Sequence, residues 1–94
     1  QVDFKQLKRV TGTIIQGRFG VPQWVTSYKL QYSADWMIWR TYTDSDGSEV
    51  FPGNNDWGTP VTNLLNESVD ARYVRFVVQG WRGYIAMRVE ILGC

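Results

Sequence analysis

The stretch ARYVRFVVQGWRGYIAMRVEILGC, residues 71–94, decides the fold. In its first arm Val74, Phe76 and Val78 share one face, with Tyr73, Arg75 and Gln79 opposite. After a short loop, Gly80-Trp81-Arg82-Gly83, a second arm begins. There Ile85, Met87, Val89 and Ile91 share one face, with Arg88 and Glu90 opposite. Side chains that alternate with a period of two mark half-buried antiparallel strands, because successive residues point to opposite faces of the pleat. The stretch therefore predicts a β-hairpin. An isolated hairpin is marginal in water, so the chain upstream must cover its apolar face.

Working back from the hairpin, the same signal recurs. Residues 61–65 read as a short strand and 66–70 as its connection to the hairpin. Residues 24–33 alternate Tyr28, Leu30 and Tyr32 against Lys29, Gln31 and Ser33. Ala34-Asp35 is a turn into an aromatic-rich strand over 36–42. Its Trp36 and Trp39, three apart, are expected on opposite faces, with at least one in the core. Residues 43–48 (TDSDGS) form a polar turn with an Asp-Gly signal. A brief strand at 49–51 stops at Pro52-Gly53, and 54–60 is a long loop. Near the start, residues 1–4 alternate, 5–9 read as a charged turn, and 10–16 are rich in β-branched residues. No segment has helical periodicity. The 94 residues fit one domain, 1–94, and the class is all-β, an antiparallel sandwich or jelly roll.

Composition narrows the chemistry. Hydrophobic residues make up 44% and aromatic ones 15%, which is a folded globule and not a disordered chain. Net charge is +1, so there is no global electrostatic case for nucleic acid. No histidine is present and the single cysteine is Cys94. That removes His/Cys zinc sets, Cys-His pairs and Ser-His-Asp triads. Asp44, Asp46 and Asp56 hint at calcium, but D-S-D-G lacks the rest of an EF-hand loop and turn chemistry explains it. No paired carboxylates stand out. The chain is expected to be no enzyme and to need no metal or cofactor. A lone terminal cysteine in a Trp- and Tyr-rich β domain suggests a disulfide partner elsewhere.

The blocks VTGTIIQG, WVTSYKLQYS, W-x-x-W, EVFPGNND, ARYVRF and GWRGYIAMRVEILGC, in this order, resemble the discoidin domain, also called the coagulation factor V and VIII C-type domain. The resemblance spans nearly the whole chain. It implies a jelly-roll-like β-sandwich in an extracellular protein, secreted or at the cell surface. It also implies that an opening part of the usual domain precedes Gln1, including the Cys that usually bridges to the closing one, here Cys94. On that expectation the chain is a fragment, a short variant, or half of an assembly completed by another chain.

The resemblance also assigns residues. Residues 17–24 match a projecting loop at one end of the sandwich that engages anionic phospholipid, collagen or other partners. Here Phe19, Val21 and Trp24 supply an apolar tip and Arg18 a cation for phosphate. Alternatively Phe19 and Trp24 fold back to close that end. Trp81 and Arg82 either add a second aromatic-and-cation patch or plug the sandwich mouth. A rival ligand is a glycan, held by Trp57 or Trp24 with Asn54 and Asn55. A rival role is structural, with strands exchanged between chains as a homo-oligomer. Arg72, Arg75 and Arg88 are expected to pair with Asp3, Asp70 or Glu90. Asn66-Glu67-Ser68 is an N-glycosylation sequon on an expected loop.

Overall fold

The computed structural model describes residues 2–18, 20–83, 85 and 87–93. Phe19 and Cys94 therefore lie outside the described residues. Six strands form, and no helix is present among the described residues: β1 (Val2–Gln16), β2 (Trp24–Ser33), β3 (Arg40–Thr41), β4 (Val50–Pro52), β5 (Val61–Arg82) and β6 (Arg88–Gly93). Every pairing is antiparallel. The strand order is β3-β2-β5-β1-β6, with β4 also paired to β2.

The organising strand is β5, with 22 residues. Extended straight at about 3.3 Å per residue it would measure roughly 70 Å. The longest dimension of the molecule is 35 Å, so β5 must bend. Its first part, from Val61 to Val74, pairs with β1; its last part, from Tyr73 to Arg82, pairs with β2. The bend rolls the sheet into a sandwich around one core. Tyr28, Leu30, Val25, Ile15, Val10, Ala71 and Val74 are buried there, with Tyr42 and Phe51 beside them.

Alternation on β2 and β5 is as expected. Tyr28 and Leu30 are buried, and Val74, Phe76 and Val78 face the core. Val25 joins Tyr28 inside although the two are three positions apart, because the β2–β5 register shifts around Ser27. A bulge of this kind reverses the facing of the residues beyond it.

Four expectations are corrected. The two arms of the C-terminal stretch do not pair: β1 lies between β5 and β6, and β6 pairs with β1. Period-two alternation reports a face and is silent about the neighbour. Residues 66–70 belong to β5, so the sequon Asn66 lies in a strand; residues 65–68 are its unpaired part, across from the shift between Val10 and Gly12. The charged residues 5–9 belong to β1 and form an irregularity between Asp3 and Lys8, where Lys5 has φ 69° and its N–H bonds Asp3 Oδ1 at 2.8 Å.

The fourth correction concerns residues 36–42, where only Arg40–Thr41 is strand. Trp36 and Trp39 are not on opposite faces and neither is in the core. Their rings meet edge to face at 5.1 Å, and both contact Tyr73. Of the expected ion pairs, Arg72 Nε meets Asp3 at 3.1 Å, while Asp70 pairs with Arg9 at 3.6 Å. Arg75 stacks on Trp39, and Arg88 bonds backbone carbonyls.

At the core's centre Tyr28 shares a hydrogen bond with Thr13 Oγ1 at 2.6 Å and accepts one from Asn63 Nδ2 at 3.0 Å. Burial pushes the phenol above its ordinary value of 10.0, because the charged form is poorly solvated there. A folded-state value above the unfolded one adds stability that is complete below the unfolded value and lost as pH rises through the folded one. Stability measured by urea denaturation is therefore expected to fall between neutral pH and strong alkali. Tyr28→Phe, less stable at neutral pH, should lose less over the same interval; an identical loss would overturn this assignment.

Candidate functional site

Three chain segments meet at the end of the sandwich where β2 begins. The first is the loop of residues 17–23. The Arg18 N–H donates to the Gln23 carbonyl at 2.9 Å, and the Gln23 N–H to the Val21 carbonyl at 2.8 Å, so the loop closes on itself. The second is the end of β5. Trp24 pairs with Arg82 and Val25 with Trp81 across the β2–β5 ladder. The third is the loop of residues 53–60.

The third segment is tied to the first through close backbone approach. A Cβ on Gly17 would sit 2.8 Å from Trp24 Cβ and 2.9 Å from Trp57 Cα, distances that only glycine tolerates. Arg88 Nε donates to the Gly17 carbonyl at 2.8 Å and its Nη2 to the Trp57 carbonyl at 3.5 Å. Gln16 Nε2 donates to the Gly58 carbonyl at 2.8 Å. The role of Arg88 as a clasp between two loops was not readable from the sequence, because its partners are backbone oxygens.

Of the expected site residues, Arg18 and Arg82 are exposed, Val21 and Trp24 are half-buried, and Trp81 is 52% exposed. The Arg82 guanidinium lies 5.7 Å from the Trp24 ring centroid, within the range of cation–π attraction. Arg18 Nη1 reaches Gln23 Oε1 at 3.3 Å. Trp81 does not plug the sandwich mouth. This end thus sets an indole against a guanidinium, Trp24 with Arg82, on one face of the β2–β5 ladder, with Trp81 exposed on the other face. The combination is suited to ligands that pair an anionic group with apolar surface.

Of the two amides expected beside Trp57, Asn55 is exposed and Asn54 is not. Asn54 is fully buried, and its Nδ2 donates to the carbonyls of Ile15 at 2.9 Å and Thr59 at 3.0 Å. It fastens the 53–60 loop to β1 and offers nothing to a ligand. Asp56 caps the same loop: its carboxylate accepts from the Thr59 N–H at 2.7 Å, the Thr59 hydroxyl at 2.8 Å and the Gly58 N–H at 3.0 Å. The Thr59 bonds hold its carboxyl below the ordinary range. Asp46 likewise caps its own turn, accepting from the Ser48 N–H at 2.9 Å. No group of three or more His, Cys, Asp or Glu able to hold a metal occurs among the described residues.

An all-antiparallel β-sandwich of this kind is the architecture of a discoidin-type domain. Comparison agrees on family and on fold. The family model of the F5/8 type C domain matches residues 1–91, and the chain belongs to that family. It is 40% identical to retinoschisin of Mus musculus over 96 residues, covering 100% of this chain and 43% of that protein. It is 41% identical to lactadherin of Bos taurus over 98 residues, covering 100% of this chain and 23% of that protein. Among solved structures, recombinant discoidin II of Dictyostelium discoideum superimposes with a TM-score of 0.84 at 31% identity, over 95% of this chain and 34% of that one. The chain thus spans less than half the length of the relatives it matches.

Proposed function

We infer that this domain is an extracellular recognition module that binds anionic phospholipid, or a cell-surface ligand of like chemistry, through the loop end built by residues 17–24 and 81–82. The supporting observation is the β2–β5 pairing, which brings Trp24 beside Arg82, with Trp81 exposed at the same end of the ladder on its other face. Arg18, Phe19, Val21 and Trp24 form the principal contact, with Trp81 and Arg82 as its second half. The apolar side chains enter the headgroup region while the guanidinium groups pair with phosphate. The reading assigns no catalysis and no cofactor. The glycan alternative is the weaker one, because Asn54 is spent inside the fold.

Co-sedimentation with phosphatidylserine and phosphatidylcholine vesicles tests it. The wild type should prefer phosphatidylserine, and Phe19→Ala/Trp24→Ala should weaken that binding by about tenfold, or ~1.4 kcal/mol. Added salt should weaken the wild type further, since exposed charges are screened. Circular dichroism checks that the variant is folded. Equal binding by a folded variant, or no binding by the wild type, would remove lipid from this site.

A further inference from the structure

The loop after β2 carries a second apolar surface, at the other end of that strand. β2 runs ten residues from Trp24 to Ser33, about 30 Å at ~3.3 Å per residue. Beyond Ser33 the chain turns sharply. Ser33 Oγ accepts from the N–H groups of Asp35 at 3.3 Å and Trp36 at 3.0 Å. Asp35 Oδ1 accepts from those of Met37 at 2.9 Å and Ile38 at 3.0 Å. The bonds from Ile38 and Met37 hold the Asp35 carboxyl below its ordinary value, so the turn is capped by a carboxylate at neutral pH.

This stiff turn projects what a soluble surface ordinarily hides. Met37 is 85% exposed and Ile38 63%. Behind them Trp36, Trp39 and Tyr73 pack together, the Trp36 ring 5.1 Å from each of the other two. Trp39 Nε1–H donates to the Trp36 carbonyl at 3.1 Å. Guanidinium groups lie on these rings: Arg75 is 3.9 Å from the Trp39 centroid and Arg72 4.9 Å from that of Tyr73. Arg40, at the start of β3, is exposed and flanks the same surface with Ile38. Trp36 itself has φ 70°, a left-handed conformation that non-glycine residues rarely adopt. The chain keeps an indole where a glycine would be unstrained, and such strain points to a use for the side chain.

We propose that this tip inserts into the interface of a lipid bilayer carrying anionic headgroups. The grouping carries the argument: exposed aliphatic side chains adjoin an aromatic cluster on whose rings arginines stack. These are the side chains that suit acyl chains, the headgroup boundary and phosphate respectively. Arg40, Arg72 and Arg75 stand beside two carboxylates, Asp35 and Asp3, of which the first caps the turn and the second pairs with Arg72. The balance favours an anionic surface. A fluid bilayer also closes around a convex tip, whereas a protein partner needs a matching pocket. The inference does not depend on the reading of the loop end at residues 17–24. If both hold, one domain bridges two bilayers.

The test uses the intact chain and phosphatidylcholine vesicles with and without phosphatidylserine. Met37→Asp/Ile38→Asp alters only exposed side chains, and Val21→Asp probes the other end; circular dichroism and melting verify both. Met37→Asp/Ile38→Asp is expected to weaken binding to phosphatidylserine vesicles by at least about tenfold. A loss below about threefold overturns the proposal. If Val21→Asp binds like the wild type while Met37→Asp/Ile38→Asp does not, this tip stands and the other site falls; the converse sinks this one alone. A wild type that ignores vesicles but self-associates through Met37, by analytical ultracentrifugation, overturns it in favour of a second copy as the occupant.

Discussion

Tyr28→Ala should cost about 3–5 kcal/mol of folding stability, the largest single loss available in the core. Tyr28 is fully buried, and four interactions end with it. Its ring stacks on Phe51 at 5.4 Å and tilts against Phe76 at 5.2 Å. Its hydroxyl serves both Thr13 and Asn63. Truncation to Ala leaves a cavity and takes the hydrogen-bond partner from the buried Thr13 hydroxyl, while Asn63 Nδ2 keeps its bond to the Pro52 carbonyl at 2.9 Å. Tyr28→Phe keeps the rings and removes only the hydrogen bonds, for about 1–2 kcal/mol. For a domain of this size a loss of 1 kcal/mol lowers Tm by about 4–8 °C. Calorimetry should therefore find Tyr28→Ala either unfolded or melting at least about 12 °C lower, with Tyr28→Phe in between. Equal effects would mean that packing adds nothing beyond the hydroxyl.

Gly53→Ala should be nearly as damaging, by about 3 kcal/mol, although it adds a single methyl group. Gly53 lies against β2, where its N–H donates to the Thr26 carbonyl at 2.8 Å and the next N–H, of Asn54, donates to the Val25 carbonyl at 2.7 Å. A Cβ there would collide with the Val25 carbonyl oxygen and come within 2.9 Å of the Thr26 carbonyl carbon. Backbone cannot rotate aside as a side chain can, so the 53–60 loop must lift. Lifting it takes Asn54 off Ile15 and Thr59. Urea denaturation is the check, with Gly47→Ala as a poor control because of its positive φ and Gly58→Ala as the sound one. A Cβ on Gly58 meets nothing within 4 Å, and that variant should stay close to wild type. Gly53→Ala within about 1 kcal/mol of wild type would show that the loop yields easily.

How far the sequence carried the reading follows from what each signal measures. Alternation found the core faces of β2 and β5, because burial of one face is what selects apolar residues two apart. It did not find that β6 adds to β1, since the partner on either side of a strand leaves no mark on its alternation. Residues 36–39 misled for a different reason. Aromatic side chains favour strands, yet Ser33 and Asp35 offer the backbone four local hydrogen bonds, and that competition bends the chain. The charged residues 5–9 were assigned a turn on composition; the chain does kink there, at the register shift between Asp3 and Lys8, but β1 resumes its pairing with β5 at Lys8 and Arg9. At the loop end, aromatic and arginine residues flanked by glycines pointed to Trp24, Trp81 and Arg82. The joining of that loop to Trp57 through Gly17 and Arg88 is a contact between segments far apart in sequence, and no local pattern encodes it.

The position of β5 between β1 and β2 bears on how the chain reaches this state. Val2 pairs with Val74 and Ile15 with Val61, so the β1–β5 ladder closes a long loop before any of its bonds form. Loop-closure entropy must be met first, and topologies dominated by such distant pairings fold in roughly milliseconds to seconds. During synthesis β1 and β2 leave the ribosome well ahead of the strand that will join them. Until it arrives, both present open hydrogen-bonding edges and the apolar side chains of an unfinished core. The interval before β5 docks is when this domain is most exposed to aggregation and most dependent on chaperones.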